Sequence, residues 1–187
     1  MIRPPPRSTL VPYTSRFRSV ESRDWVRVAL NQPFVDEPGG RMLYSAGNSH
    51  LLSAMLTRLS QKSTLALARE WLGEPLDISI PAWPTDPRGI FFGGNDMVLS
   101  PRALMAFGEL YRNGGRRGDR QVPPAEWIAQ SWQVRTHSPW NGEGCGYGWV
   151  TGTGAGRPLH DAWGYGRQRV YLGRSGGVTR VIASVPR

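Results

Sequence analysis

Two adjacent hydroxyl side chains, Tyr44 and Ser45, stand just before the first clearly periodic helical segment of the chain, which begins near Asn48. A hydroxyl in this place either caps the helix, by accepting a hydrogen bond from its backbone, or takes part in a reaction. Asn48 could also act as the cap. On these residues alone, both interpretations of the Tyr-Ser pair stay open.

The other groups that could do chemistry are separated from one another. The segment 173–177, GRSGG, fits the G-x-S-x-G pattern of a nucleophilic serine, but that pattern requires a strand leading into a helix, and the following VTRVIAS predicts a strand. The three histidines (His50, His137, His160) lie apart from one another and from acidic residues, so the sequence predicts neither a metal site nor a bound cofactor. The single cysteine, Cys145, excludes an intrachain disulfide and favours a structural role.

Helices are predicted for much of the first two thirds of the chain. The segment 22–31, SRDWVRVALN, predicts a short helix, and Asn48 to about Leu59 predicts a longer one. A third is expected from Ser63 as N-cap to a stop at Gly73. Apolar residues in the second helix recur at the spacing of one buried face: Leu51, Leu52, Met55, Leu56 and Leu59.

The remaining elements indicate an α+β fold. A proline-rich loop over residues 74–96 is expected to line a site. Ser100-Pro101 predicts a helix start, and another helix is expected near Pro124. After about residue 146, short β-branched and aromatic runs separated by glycines predict an antiparallel meander. Helices followed by a closing sheet are typical of α+β domains.

Length and composition fit one domain of ordinary size among the 187 residues, over 21–187, after an extended or disordered lead-in at 1–20. Lys62 is the only lysine, so 22 of the 23 basic residues are arginines, and they are scattered. This scatter, with a net charge of +9, indicates a solvated surface rather than a nucleic-acid site. No apolar run is long enough to span a membrane, and no secretory signal is evident; the compartment stays open.

Four motifs occur in order: Tyr44-Ser45, GGNDMVLSPRAL at 93–104, EGCGYGWV at 143–150 and WGYGRQ at 163–168. Their order and spacing resemble those of the beta-lactamase-related serine hydrolases. This group contains class C beta-lactamases, penicillin-binding-protein-like peptidases and family VIII carboxylesterases. The resemblance covers about residues 22–184. It implies a beta-lactamase/transpeptidase-like fold and acyl-transfer hydrolysis of small amide or ester substrates.

The resemblance also implies roles at the helix mouth. Tyr44 takes the place of the proton-transfer tyrosine of a Tyr-x-Asn motif. Such a phenol, held beside a lysine ammonium, can remove the proton of a serine nucleophile. Ala46 stands where the family has asparagine, and Asn48, two positions later, is the alternative substrate-binding amide.

The same resemblance places the substrate-binding edge of the sheet on residues 165–168. Tyr165 replaces the usual His or Lys, Gly166 follows it, and Arg167 replaces a glycine. The backbone N–H of Gln168 would hold the oxyanion. A glycine-kinked strand with aromatic packing is the alternative interpretation of this segment.

The nucleophile of the family is absent from the sequence. Leu59 stands three positions before Lys62, so Ser-x-x-Lys occurs nowhere. The resemblance therefore implies a C-terminal portion of a serine hydrolase, truncated and weakly active or inactive alone. One alternative is a non-catalytic remnant or interaction module that associates through an exposed sheet edge. A less favoured one is an arginine-rich nucleic-acid binder with eight tryptophans as stacking platforms.

Overall fold

The computed structural model describes residues 21–34, 36–37, 39–154, 156–164, 168–173 and 177–183. The lead-in predicted for residues 1–20 lies outside this part of the chain. Contacts divide the chain into two compact units. Unit 1 draws on Met1–Val35, Tyr44–Leu67 and Pro81–Val98, and unit 2 on Asp36–Leu43, Ala68–Ile80 and Leu99–Arg187.

Unit 1 contains the helices predicted from periodicity. Helix α1 is Trp25–Leu30, and its N-cap Asp24 accepts a hydrogen bond from the Arg27 N–H. Helix α2 is Ala46–Ser60, capped by Ser45 and ended by Gln61 at a left-handed φ of 55°. Helix α3, Thr64–Ala68, follows the predicted cap Ser63, whose Oγ accepts from the Ala66 N–H at 3.1 Å.

The buried face of α2 differs from the one that its apolar pattern predicts. His50 and Ser53 are buried, because the loop 83–94 packs on their side of the helix and Ser53 Oγ donates to the Phe91 carbonyl at 2.6 Å. Helix α2 thus turns small and polar residues toward this backbone. The prediction of a buried leucine face is wrong for residues that are exposed: Leu52, Met55, Leu56 and Leu59.

In unit 2 a π-helical turn, Arg69–Gly73, leads into the short helix α4, Glu74–Leu76. The predicted stop at Gly73 is therefore wrong, and the helix ends at Asp77, whose φ is 52°. Gly73 serves a different purpose, since a Cβ there would lie 3.3 Å from the Ile78 carbonyl oxygen of the returning chain. Two further helices have the predicted starts: α5, Pro101–Arg112, and α6, Ala125–Ser131.

The described strands of unit 2 form two sheets. Strands β1 (Arg116–Arg117) and β2 (Arg120–Gln121) pair as a small hairpin. The other six form one antiparallel sheet whose spatial order follows the sequence, which confirms the predicted meander and the α+β class. These strands are β3 (Thr136–His137), β4 (Gly144–Cys145), β5 (Val150–Gly154), β6 (Arg157–Gly164), β7 (Gln168–Gly173) and β8 (Val178–Ile182).

One face of this sheet forms the core of unit 2 with α5 and α6. Val170 and Leu172 of β7 are buried in it, at 5% and 0% exposure. Gly108 lets α5 come this close, because a Cβ there would lie 2.8 Å from Thr179 Cγ2 and 3.1 Å from both buried β7 side chains. Aromatic residues complete the cluster: Phe107, Tyr111, Trp132 and Trp149. Among the described residues, every helix is too short or too polar to cross a lipid bilayer.

Candidate active site

Tyr44 lies at the N-terminal mouth of α2 and is 46% exposed. The next residue, Ser45, is in extended conformation, and its Oγ accepts from the Asn48 N–H at 3.3 Å. The capping interpretation of the pair therefore holds for Ser45. It leaves the phenol of Tyr44 accessible, with its hydroxyl 3.5 Å from the Gly94 carbonyl oxygen, to which it donates.

The third motif position is packed rather than open to a ligand. Ala46 is 9% exposed, and a Cβ added to Gly94 would lie 2.9 Å from its Cα, Cβ and O atoms. A larger amide side chain at position 46 would press on this contact. Asn48, two residues after Ala46, is exposed, and its backbone N–H donates to Ser45 Oγ. Its side chain is thus the accessible amide at this helix mouth.

Sequence reasoning missed a buried histidine–aspartate contact in the same unit. His50 and Asp86 are 1% and 3% exposed, and His50 Nε2 lies 3.1 Å from Asp86 Oδ2. The expectation that the histidines lack acidic partners is therefore wrong for His50. The two residues are 36 positions apart, so no local spacing could reveal the pair. The loop that carries Asp86 was expected to line a site, but its sequence contains no signal for a histidine partner.

In unit 2 the predicted substrate-binding edge begins at the β6–β7 hairpin. Gln168 opens β7 and pairs with Gly164 of β6. Its predicted partners Tyr165 and Gly166, together with Arg167, lie outside the described residues. The oxyanion role of the Gln168 N–H thus stays a prediction.

Side chains of β6 and β7 form a cluster around Arg169 next to this hairpin, on the sheet face away from α5. Arg169 donates from Nη1 to Asp161 Oδ2 and to the Tyr171 hydroxyl, both at 2.7 Å, and its guanidinium lies 4.7 Å from the centre of the Trp163 ring. Burial raises the pKa of Asp161, Arg169 opposes that shift, and the charge of Glu143 adds to it. Asp161 and Trp163 alternate along β6, and Arg169 and Tyr171 alternate along β7. This alternation places the four side chains on one face, and it was the sequence signal that was overlooked.

Two alternative nucleophiles are disfavoured by their surroundings. Cys145 is 6% exposed, and burial, with the nearby charge of Glu143, raises the pKa of its thiol, which disfavours the reactive thiolate. The GRSGG segment joins β7 to β8, whose ends Gly173 and Val178 pair in antiparallel register. The segment therefore joins two paired strands and lacks the strand-to-helix setting that a nucleophilic serine of this pattern requires.

The single lysine lies at the wrong end of α2 to assist Tyr44. Lys62 follows the C-terminal end of this 15-residue helix, and a helix of that length spans about 22 Å. Lys62 and Tyr44 therefore lie at opposite ends of α2.

Comparison with known families shows which family the chain belongs to. The family model described as Beta-lactamase matches residues 5–185. The chain belongs to the beta-lactamase family. The beta-lactamase/transpeptidase-like fold implied by the four motifs is thereby confirmed. No protein of the curated set gives a significant sequence match.

Solved structures of beta-lactamase-like hydrolases share this fold. The chain is similar to a protein assigned as a 6-aminohexanoate-dimer hydrolase from Bacillus anthracis, at TM-score 0.75 and 16% identity, covering 84% of this chain and 42% of that one. It is also similar to an octameric penicillin-binding protein homologue from Pyrococcus abyssi, at 0.62 and 19%, covering 78% and 39%. A D-stereospecific amidohydrolase from Streptomyces sp. gives 0.63 and 16%, covering 82% and 53%. The chain thus spans about half of these structures or less.

Proposed function

We propose that this chain carries part of the machinery of a beta-lactamase-family serine hydrolase that cleaves small amides or esters by acyl transfer. The observation that carries the proposal is the accessible phenol of Tyr44, next to the N-cap of α2, in a chain whose family is established over residues 5–185. The hydrolases among the similar structures support the class of reaction.

In the proposed reaction Tyr44 transfers protons. A serine oxygen attacks the carbonyl carbon of the substrate while the phenolate takes the serine proton. The phenol then gives that proton to the leaving amine or alkoxide, and water releases the acyl group in a second round. A phenol has an ordinary pKa of about 10, so a neighbouring ammonium is needed for it to act as a base at neutral pH.

The proposed contribution of unit 2 is the backbone N–H of Gln168, which would donate to the oxyanion that forms on the carbonyl oxygen. Tyr165 and Gly166 are the other proposed substrate-binding residues of this edge, and Asn48 is the one proposed at the helix mouth of unit 1. The support for this part is the position of Gln168 at the start of a strand whose base is fixed by the Arg169–Asp161 ion pair.

Hydrolysis by the 187-residue chain alone tests this assignment. Because no Ser-x-x-Lys occurs in the sequence, we expect no turnover of a chromogenic cephalosporin or a p-nitrophenyl ester above background. Robust hydrolysis that persists in Tyr44→Phe would contradict the assigned role. It would show that a different group in the chain performs the reaction.

A second candidate function is an interaction module that associates through a sheet edge. Among the described strands, β8 pairs with β7 alone, and Val178 at its start is 53% exposed. An unpaired edge is a template for another strand. Sedimentation velocity at several concentrations tests this: association that stops on Val178→Lys supports it, and a monomer at all concentrations counts against it.

A further inference from the structure

The proposed reaction leaves a deeply buried pair of ionisable residues in unit 1 without a role. His50 and Asp86 are 1% and 3% exposed, and they contact each other at 3.1 Å. Burying two such groups is unfavourable unless they are well partnered. A pair of this kind therefore fixes the relative position of the two segments that carry it.

Asp86 organises the loop at its own end. Its Oδ1 accepts the N–H groups of Arg88 and Ile90, each at 2.9 Å, and its backbone N–H donates to the Ile90 carbonyl at 2.8 Å. One carboxylate oxygen thus holds the turn 86–90, and the other reaches His50 on α2. The carboxylate joins the loop to the helix.

His50 packs against two aromatic rings at the helix end of the pair. Its ring lies 5.5 Å from the Trp25 ring and 5.6 Å from the Phe92 ring, centre to centre, and those two rings are 5.0 Å apart. Its Nδ1 is buried and has no hydrogen-bond partner among the described residues. The hydrogen bond to Asp86 is therefore the polar contact that orients the ring, with the hydrogen on Nε2 facing the carboxylate.

The position of the loop is transmitted to the helix mouth through two glycines. A Cβ on Gly93 would lie 2.0 Å from the Ser49 carbonyl oxygen and 3.0 Å from His50 Cα. A Cβ on the next residue, Gly94, would lie 2.9 Å from Ala46, as described above. The loop backbone thus rests directly on the first turns of α2, and it places the Gly94 carbonyl where the Tyr44 hydroxyl donates.

We propose that His50 and Asp86 are a positioning pair that clamps the loop 83–94 onto α2 and thereby fixes the hydroxyl of Tyr44. The importance of this for catalysis rests on the proposed function, in which Tyr44 transfers protons. The clamp acts through Gly93 and Gly94 and does not touch the reacting groups. Its loss should release the phenol while both segments stay folded.

The test is a 19F NMR comparison of the full chain labelled with 3-fluorotyrosine. The sequence has six tyrosines, and the resonance that disappears in Tyr44→Phe belongs to residue 44. His50→Leu fills the buried position with an apolar side chain and removes the hydrogen-bonding ring. In this variant we expect the resonance of residue 44 to narrow and move to the position of unfolded fluorotyrosine. His50→Gln, whose amide can still donate to Asp86, should keep it near the wild-type position.

Two controls separate positioning from loss of stability. Leu67→Ala removes a side chain of unit 1 that is 3% exposed and should destabilise the fold without moving the resonance of residue 44. Arg88→Ala removes an exposed loop side chain, whose backbone N–H to Asp86 remains, and should also leave it in place. An unchanged resonance in His50→Leu, or an equal change in Leu67→Ala, overturns the proposal.

If His50→Leu does not fold, Asp86→Asn is measured in its place, with the same expected and contradicting results. The readout needs no turnover, so it is independent of the proposed function. If Tyr44→Phe abolishes catalysis in an active assembly but His50→Leu leaves the resonance unchanged, the clamp alone is wrong. If the resonance moves but Tyr44→Phe leaves catalysis intact, the proposed function alone is wrong.

Discussion

Asp161 makes a stabilising ion pair with Arg169, but burial disfavours its charged form. It accepts a hydrogen bond from Arg169 at 2.7 Å, yet its Oδ1 is buried with no hydrogen-bond partner among the described residues. Burial disfavours the ionised carboxylate, which is why the pKa of Asp161 is raised despite the neighbouring guanidinium. The hairpin base therefore holds an acid whose charged form is only partly compensated.

This raised pKa predicts a specific pH dependence of stability. Between the ordinary carboxyl pKa of about 3.9 and the raised value of Asp161, the native state binds more protons than the unfolded state. The contribution of Asp161 to the free energy of unfolding therefore falls as pH rises through this window. In Asp161→Asn that loss is absent, so the free energy of unfolding should decline less from pH 4 to pH 7 than in the wild type.

Urea denaturation of both proteins at four pH values between 4 and 7 measures the difference. Parallel pH profiles would show that the Asp161 carboxyl titrates alike in the folded and unfolded chains. If the free energy of unfolding declined more steeply with pH in the variant, the pKa of Asp161 would be lowered by folding rather than raised.

At the scale of the elements, close backbone approach decides where glycine is required. Gly108 lies on α5 against the sheet, whereas Gly47 lies in the first turn of α2, where a Cβ would meet Ser45 Oγ at 3.4 Å and Ala29 Cβ at 3.5 Å. The second set of distances is ordinary van der Waals contact. Close packing therefore requires glycine at Gly108, whereas the space around Gly47 would accept a methyl group.

Substitution of each glycine by alanine tests this difference. Gly108→Ala should lower the free energy of unfolding by about 1–3 kcal/mol, because the added methyl group overpacks the helix–sheet contact. Gly47→Ala should be neutral or stabilising by up to about 1 kcal/mol, through the helix propensity of alanine. Chemical denaturation measures both, and equal effects would contradict the close approach of α5.

Leucines of unit 1 offer a matched test of the α2 orientation. Leu59 is 79% exposed and Leu67 is 3% exposed. Leu67→Ala should lower the free energy of unfolding by about 2–5 kcal/mol, and Leu59→Ala should change it by less than about 0.5 kcal/mol. A large loss in Leu59→Ala would mean that the stripe of α2 leucines is buried after all.

The elements that the sequence predicts well are those fixed by local chemistry. Ser100-Pro101 begins a helix because a capping hydroxyl and a proline at the first helical position suit no other structure as well. The face of α2 was mispredicted because tertiary contacts decide it. Helical spacing marks the leucines as a stripe, but the loop that packs on α2 carries Gly93 and Gly94, which select small residues opposite them.

The residues of the candidate site also differ in how far the sequence alone could suggest them. Tyr44 and Gln168 are site predictions that rest on ordered motifs, which a sequence displays directly. The His50–Asp86 pair joins residues 36 positions apart, and only the folded loop brings them together. Long-range polar pairs of this kind leave no periodic signal.

At the scale of the whole molecule, the chain spans 42%, 39% and 53% of the three similar structures. The Ser-x-x-Lys pattern that the resemblance implies does not occur in the sequence. We propose that the complete hydrolase carries such a segment in addition to the 187 residues.

The most direct test of the central claim supplies that segment. The chain is joined to the Ser-x-x-Lys-containing portion of a beta-lactamase-family hydrolase, and turnover of a p-nitrophenyl ester is measured with Tyr44, with Tyr44→Phe and with Tyr147→Phe. Tyr147 is a suitable control because it is 45% exposed, nearly the same as Tyr44. The account predicts turnover that falls about 10²–10⁴-fold in Tyr44→Phe and persists in Tyr147→Phe. Turnover that is unaffected by Tyr44→Phe would contradict it.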